Sequence, residues 1–190
     1  MNLQARVKAI LISPKTEWEV IAAEQTDVAS IYRNYIVILA AIPAVCSFVG
    51  LVVFGFPSVG RPSLFGAVRV SVAVYVSALV SPFVAAIVIE KLAPKFQSRG
   101  SLVQALKMVA YSSTPIWVIG VVNLIPALLP VGIVAALYAI YLFYVGLPAV
   151  MNTPLEQVVP FMAVAALTNI VVGIVLRWIT ATMGVPSYGF

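Results

Sequence analysis

Five long apolar stretches constrain this 190-residue chain more than any other feature of its sequence. Each stretch is close to the roughly 20 residues that an α-helix needs to cross the hydrocarbon core of a bilayer. They lie at about 35–55, 68–89, 102–124, 131–150 and 158–176. The pattern predicts an all-α fold, a polytopic membrane helix bundle of about five transmembrane helices.

The composition supports lipid as the solvent for much of the surface. Hydrophobic residues make up 63% of the chain and charged residues only 9%, whereas a soluble domain carries about 25% charged residues. A soluble domain of this size keeps much of its surface exposed to water, so it could not hide so much apolar area. The basic residues are scattered between apolar spans, so the net charge of +5 indicates topology signals rather than a nucleic-acid footprint.

Residues 1–30 are predicted to form a cytoplasmic or interfacial amphipathic segment. The apolar residues Leu3, Val7, Ile10 and Leu11 share one face of a helix over residues 1–12. A helix of this kind is expected to lie in the headgroup plane, with Arg6 on another face. It is followed by the five-helix domain over residues 31–180 and by a short external tail over residues 181–190.

A second short helix is predicted to run through about Gln25. It starts either at Ser13-Pro14, where proline occupies the first helical position, or at a capping box from Thr16 to Glu19. Because tryptophan and arginine are enriched at the membrane–water interface, we expect interfacial anchors at three positions. These are Trp18, Arg177 and Trp178.

The distribution of Lys and Arg predicts the orientation in the membrane. Eight cations flank one side and three flank the other, which by the positive-inside rule places the N-terminus in the cytoplasm and the C-terminus outside. The cytoplasmic set is Arg6, Lys8, Lys15, Arg33, Lys91, Lys95, Arg99 and Lys107, and the external set is Arg61, Arg69 and Arg177.

Two spans carry small residues at fourfold spacing, which is typical of helix-packing faces in lipid. We expect these faces to contact other helices of the chain or of a second copy. The predicted interface comprises Ala73, Ser77, Ser81 and Ala85 in the second span, and Ala165, Asn169 and Gly173 in the fifth.

The third span contains the most polar of the predicted proline kinks. Prolines lie inside three spans, at Pro43, Pro82 and Pro115, and each removes one helical hydrogen bond. A kink can serve packing alone, or it can free a carbonyl group that lines a cavity. The candidate polar cavity comprises Ser112, Ser113, Thr114, Pro115 and Asn123.

No catalytic, cofactor or metal site is predicted from the sequence. The chain has no His, and its one cysteine, Cys46, lies within the first span, so the commonest general base and a multi-Cys metal site are both missing. Four acids near the N-terminus favour a solvated helix face over a divalent-cation site. They are Glu17, Glu19, Glu24 and Asp27.

Four short motifs together resemble the bacterial branch of the Yip family, membrane proteins named as Ypt/Rab-interacting proteins. They are Pro14–Trp18 (PKTEW), Tyr111–Pro115 (YSSTP), Tyr141–Pro148 (YLFYVGLP) and Asn152–Pro154 (NTP). The resemblance implies a five-helix domain with a cytoplasmic N-terminus, in a bacterial inner membrane. Eukaryotic relatives are associated with Rab-type GTPases, but a GTPase partner is not expected here because the long cytoplasmic N-terminal region of those relatives is missing.

Two functional hypotheses follow from these patterns. The leading one is a non-enzymatic scaffold, membrane organiser or assembly subunit that acts through helix association, as a homo-oligomer or with other membrane proteins. The alternative is a small channel or transporter with its cavity at the proline-kinked helices. No ionisable residue lies at the centre of a span, which counts against a proton-coupled transporter.

Overall fold

The computed structural model describes residues 2–55, 60–125, 128 and 131–182, and leaves the side chains at 169, 172, 176, 177 and 179–182 undescribed. Within these residues the regular elements that carry the fold are helices, five of them long and apolar enough to cross a membrane. The prediction of an all-α membrane helix bundle is therefore confirmed. The part of the predicted tail beyond residue 182 lies outside the described residues.

The two N-terminal helices are short, and the remaining helices build the five spans. Their bounds are α1 Leu3–Ile12, α2 Pro14–Ala23, α3 Val28–Val53, α4 Leu64–Leu92, α5 Leu102–Ser112, α6 Thr114–Ile119, α7 Val131–Met151 and α8 Leu155–Thr182. A π-helical turn, Tyr32–Ile36, lies within α3, and 3₁₀ turns at Ala93–Phe96 and Gly120–Leu124 extend α4 and α6.

Local capping explains where the N-terminal helices begin. The Asn2 side chain accepts a hydrogen bond from the Gln4 amide, 3.1 Å away, at the start of α1. Pro14 is the first residue of α2, which confirms the Ser13-Pro14 start over the one at Thr16. Asp27 caps α3, and hydrogen bonds from the hydroxyl and amide of Ser30 lower the pKa of its carboxyl group.

The third span is broken into two helices at the predicted proline. Pro115 has no amide hydrogen, so the Tyr111 carbonyl loses its helical donor. The Thr114 hydroxyl replaces it and donates to that carbonyl at 2.6 Å. In contrast, Pro43 and Pro82 lie inside continuous helices. One of the three predicted kinks is thus a complete break.

The broken third span lies at the centre of the bundle. Its helices α5 and α6 contact α3, α4 and α7, while α8 packs mainly against α4. The N-terminal helices α1 and α2 form a hairpin that packs along α7 and reaches α6. The core of the protein therefore forms around α5, and the hairpin contributes directly to it.

Candidate functional site

The α1–α2 hairpin fills a groove beside α5 and α7. Ile10, Trp18 and Ile21 are fully buried there. A Cβ atom placed on Gly146 would lie 2.7 Å from the indole Cε2 of Trp18, so only glycine leaves room for this ring. Trp18, predicted from the sequence as an interfacial anchor, therefore faces the interior of the protein. Its position reflects packing against other helices, which amphipathic periodicity does not reveal.

Arg6 is the buried cation of the hairpin. Only 7% of the residue is exposed, and its guanidinium pairs with Glu17 and, at 2.5 Å, with Glu24. Burying a charge in an apolar surrounding requires such partners. The sequence predicted Arg6 away from the apolar face of an interfacial helix, and in the structure two carboxylates from the hairpin stabilise it in the protein interior.

Lys107 of α5 is buried more completely, at 3% exposure. Its ammonium donates to the backbone carbonyls of Ile21 at 2.7 Å and Glu24 at 2.5 Å. These carbonyls belong to the C-terminal end of α2, where the helix leaves acceptors unsatisfied and favours a positive charge. Lys107 thus caps the C-terminal end of α2 by hydrogen bonding. The sequence predicted Lys107 only as a topology signal on the cytoplasmic side and did not predict this capping role.

The end of α1 is closed in the same way from another span. The Tyr138 hydroxyl of α7 donates to the Leu11 carbonyl at 2.7 Å. Two transmembrane helices, α5 and α7, therefore each supply a donor to a C-terminal end of the hairpin. This arrangement fixes the hairpin against the bundle at two separate points.

Tyr111 connects the hairpin to the break in the third span. The Arg6 guanidinium carbon lies 5.8 Å from the centre of the Tyr111 ring, a cation–π distance. The ring of Tyr35 packs against the Tyr111 ring at a tilt, with 4.6 Å between the centroids. The Tyr35 hydroxyl lies 2.6 Å from the Thr114 hydroxyl. Because Thr114 donates to the Tyr111 carbonyl, the Tyr35 hydroxyl is the donor in this second bond.

Two buried polar atoms in the described part of the chain have no hydrogen-bond partner. They are Nε1 of Trp18 and Oγ of Ser112. Both belong to residues that pack around α5, next to the break. Most buried polar groups in proteins are hydrogen-bonded. The two unpaired atoms therefore mark the region where the hairpin, α5 and α7 meet as unusual.

The predicted polar cavity is only partly assembled. Ser112, Thr114 and Pro115 are buried at the break, and Ser113 bonds back to the Val109 carbonyl at 2.8 Å. Asn123 lies in a different contact, where its side-chain amide donates to the Ser47 hydroxyl at 3.2 Å. Four of the five predicted residues, which are consecutive in the sequence, therefore lie together at the break, and the fifth connects the C-terminal end of the third span to α3.

The two small-residue faces occupy different environments. Ala85 and Ala165 are each 3% exposed and pack inside the bundle. Gly173 is exposed, with no atom within 4 Å of the position that a Cβ would take. Ala73, Ser77 and Ser81 are half-buried. The side chains of Asn169 and Arg177 lie outside the described residues, and Trp178 is exposed.

These features define a polytopic helical membrane protein whose N-terminal hairpin is built into the bundle by buried charges. The family model of the Yip1 domain matches residues 8–177. The chain therefore belongs to the Yip1 family, and the resemblance seen in its sequence motifs is confirmed.

Two curated relatives match over nearly the full length of the chain. They are the proteins called "Inner membrane protein YohC" of Escherichia coli K12 and of E. coli O6:H1 strain CFT073. Each is 26% identical over 193 residues, which cover 98% of this chain and 97% of the relative. No solved structure matches the chain.

Proposed function

We propose that this protein is a non-enzymatic component of a bacterial inner membrane that acts through helix association, as a scaffold, membrane organiser or assembly subunit. The location is supported by the five spans and by the inner-membrane relatives. The eight-to-three asymmetry of Lys and Arg supports a cytoplasmic N-terminus and an external C-terminal end.

The observation that carries this proposal is the open face of the second half of α8. Gly173 has free space around it, and the neighbouring side chains of Ile170 and Ile174 are each 58% exposed. Earlier on the same helix, Ala165 packs inside the bundle. Small residues allow the backbones of two membrane helices to approach closely, so the Gly173 face suits a second helix.

The oligomeric mass in native nanodiscs tests this proposal. We expect a defined oligomer for the wild-type protein and a loss of that oligomer in Gly173→Leu. Gly132→Leu is the matched control, because Gly132 also has no atom within 4 Å of the Cβ position. At both positions a Cβ atom meets no described atom of the single chain, so a selective effect at Gly173 reports the interface. Ser77→Leu probes the half-buried face of α4 in the same assay.

Two results would contradict the association hypothesis. One is a monomeric wild-type protein, and the other is an oligomer that persists in Gly173→Leu. The channel alternative gains no specific support from the described geometry, because Thr114 and Pro115 at the break are enclosed by packed side chains. Solute flux through the protein in liposomes is the measurement that would support the channel alternative.

A further inference from the structure

We propose that docking of the α1–α2 hairpin sets the geometry of the break in the third span, with Arg6 as the positioning residue. The hairpin would then be a conformational control element rather than a passive cover. This inference is independent of the association hypothesis, since it concerns contacts within a single chain.

The first step is that the charges are balanced only when the hairpin is docked. Arg6, Glu17 and Glu24 come from the hairpin or its end, whereas Lys107 comes from α5. Docking the hairpin brings both carbonyl acceptors to the Lys107 ammonium, and in this docked state the residue is 3% exposed. A buried cation without partners is strongly disfavoured, so the docked arrangement and the position of α5 depend on each other.

The second step is that the hairpin holds the residue next to the break. Arg6 lies over the Tyr111 ring, and the Trp18 ring meets it edge-on, with centroids 6.3 Å apart. Tyr111 also provides the carbonyl that Pro115 leaves without a helical donor. The ring that the hairpin contacts and the carbonyl to which Thr114 donates thus belong to the same residue. Holding the Tyr111 ring therefore also holds this carbonyl.

The third step is that the break can change its angle. At Ser113 the α-helix is interrupted, and the Thr114 hydroxyl donates to the Tyr111 carbonyl in place of the amide hydrogen that Pro115 lacks. Proline breaks bend more easily than regular helix because a ladder hydrogen bond is missing. Contacts that hold the two helices from outside thus decide the angle between α5 and α6.

Spin-label distance measurements across the break test the proposal in the full chain. Labels at Ser101→Cys and Val121→Cys bracket α5 and α6 at exposed positions, in a Cys46→Ala background that removes the only native cysteine. We expect Arg6→Gln to shift or broaden the distance distribution. Lys8→Gln is the control, because Lys8 is an exposed cation on the same helix, and should leave the distribution unchanged.

Amide exchange of residues 3–23, measured in the same nanodiscs, shows whether the hairpin has undocked. Faster exchange together with a changed distance supports the proposal. Faster exchange with an unchanged distance overturns it, because the break is then set without the hairpin.

Trp18→Leu is expected to undock the hairpin through the loss of the buried indole. It replaces Arg6→Gln in the experiment if that variant does not accumulate. Its matched control is Trp178→Leu at an exposed position. If neither Arg6→Gln nor Trp18→Leu changes hairpin exchange or the distance, these contacts do not hold the hairpin and the proposal fails.

Discussion

Lys107 illustrates how a single charged residue is stabilised within an apolar bundle. Its ammonium has two carbonyl acceptors at the end of α2, at 2.7 and 2.5 Å. The carboxylate of Glu24 pairs with Arg6 close by, so positive and negative charges are matched in this region. The side chain therefore joins a transmembrane helix to the N-terminal hairpin.

We expect Lys107→Met to lower the free energy of unfolding by about 2–3 kcal/mol, because the carbonyls of Ile21 and Glu24, one buried and one partly buried, lose their hydrogen bonds to a charged donor. Lys95→Met is the matched control, since Lys95 is exposed on the 3₁₀ turn after α4, and should change stability little. Reversible unfolding in mixed micelles measures both. Equal stabilities for the two variants would show that the Lys107 bonds contribute nothing.

At this scale the sequence allowed only part of the site to be predicted. The pattern shows that Arg6 and Lys107 are cations near one end of the bundle. Their partners lie 11 and 18 residues away for Arg6, and 83 and 86 residues away for Lys107. Local periodicity carries no information on such distant pairs, so the sequence did not predict the buried partners of Arg6 and Lys107.

Among the helices, the broken third span depends most on side-chain hydrogen bonds. Thr114 uses one hydroxyl for two purposes: it donates to the Tyr111 carbonyl and accepts from the Tyr35 hydroxyl. The break is thereby linked to α3 as well as to its own helix. A substitution that keeps the shape of Thr114 but removes the hydroxyl isolates this contribution.

Thr114→Val should destabilise the protein by about 1–2 kcal/mol, since it removes the hydroxyl that donates to the Tyr111 carbonyl and accepts from the Tyr35 hydroxyl in the core. The matched control is Thr168→Val, because the Thr168 hydroxyl bonds to the Val164 carbonyl one turn earlier on its own helix, α8. Unfolding in mixed micelles again provides the comparison. A cost at Thr168 as large as that at Thr114 would argue against a special role for the break.

The existence of the helices followed from apolar length, and the break at Pro115 followed from proline chemistry. The same chemistry also applies to Pro43 and Pro82, yet those helices continue. At Pro115, by contrast, Thr114 donates to the freed carbonyl, and Tyr35 reaches Thr114 from another helix. A pattern of prolines predicts possible kinks, but tertiary contacts decide which of them becomes a break.

For the whole molecule, the positive-inside rule makes a prediction that labelling can check. In a Cys46→Ala background, Arg61→Cys should react with a membrane-impermeant thiol reagent added outside intact cells. Lys95→Cys should react only after the inner membrane is opened. Both positions are exposed in the structure. The reverse pattern would show that the chain is inserted with its N-terminus outside.

The central position of the third span has a consequence for biogenesis. Its mean hydropathy is 1.4, whereas the other four spans range from 2.1 to 2.8. A lysine at the centre of a segment costs about 2.5–3.5 kcal/mol during translocon-mediated insertion. Lys107 lies nearer the end of the third span. This span is nevertheless the least favourable of the five for insertion into lipid on its own. The residues that satisfy its polar groups, including Tyr35 and the carbonyls of α2, are synthesised before it. These partners are therefore already made when the third span enters the membrane. Shortening the N-terminus is expected to impair the membrane integration of this span.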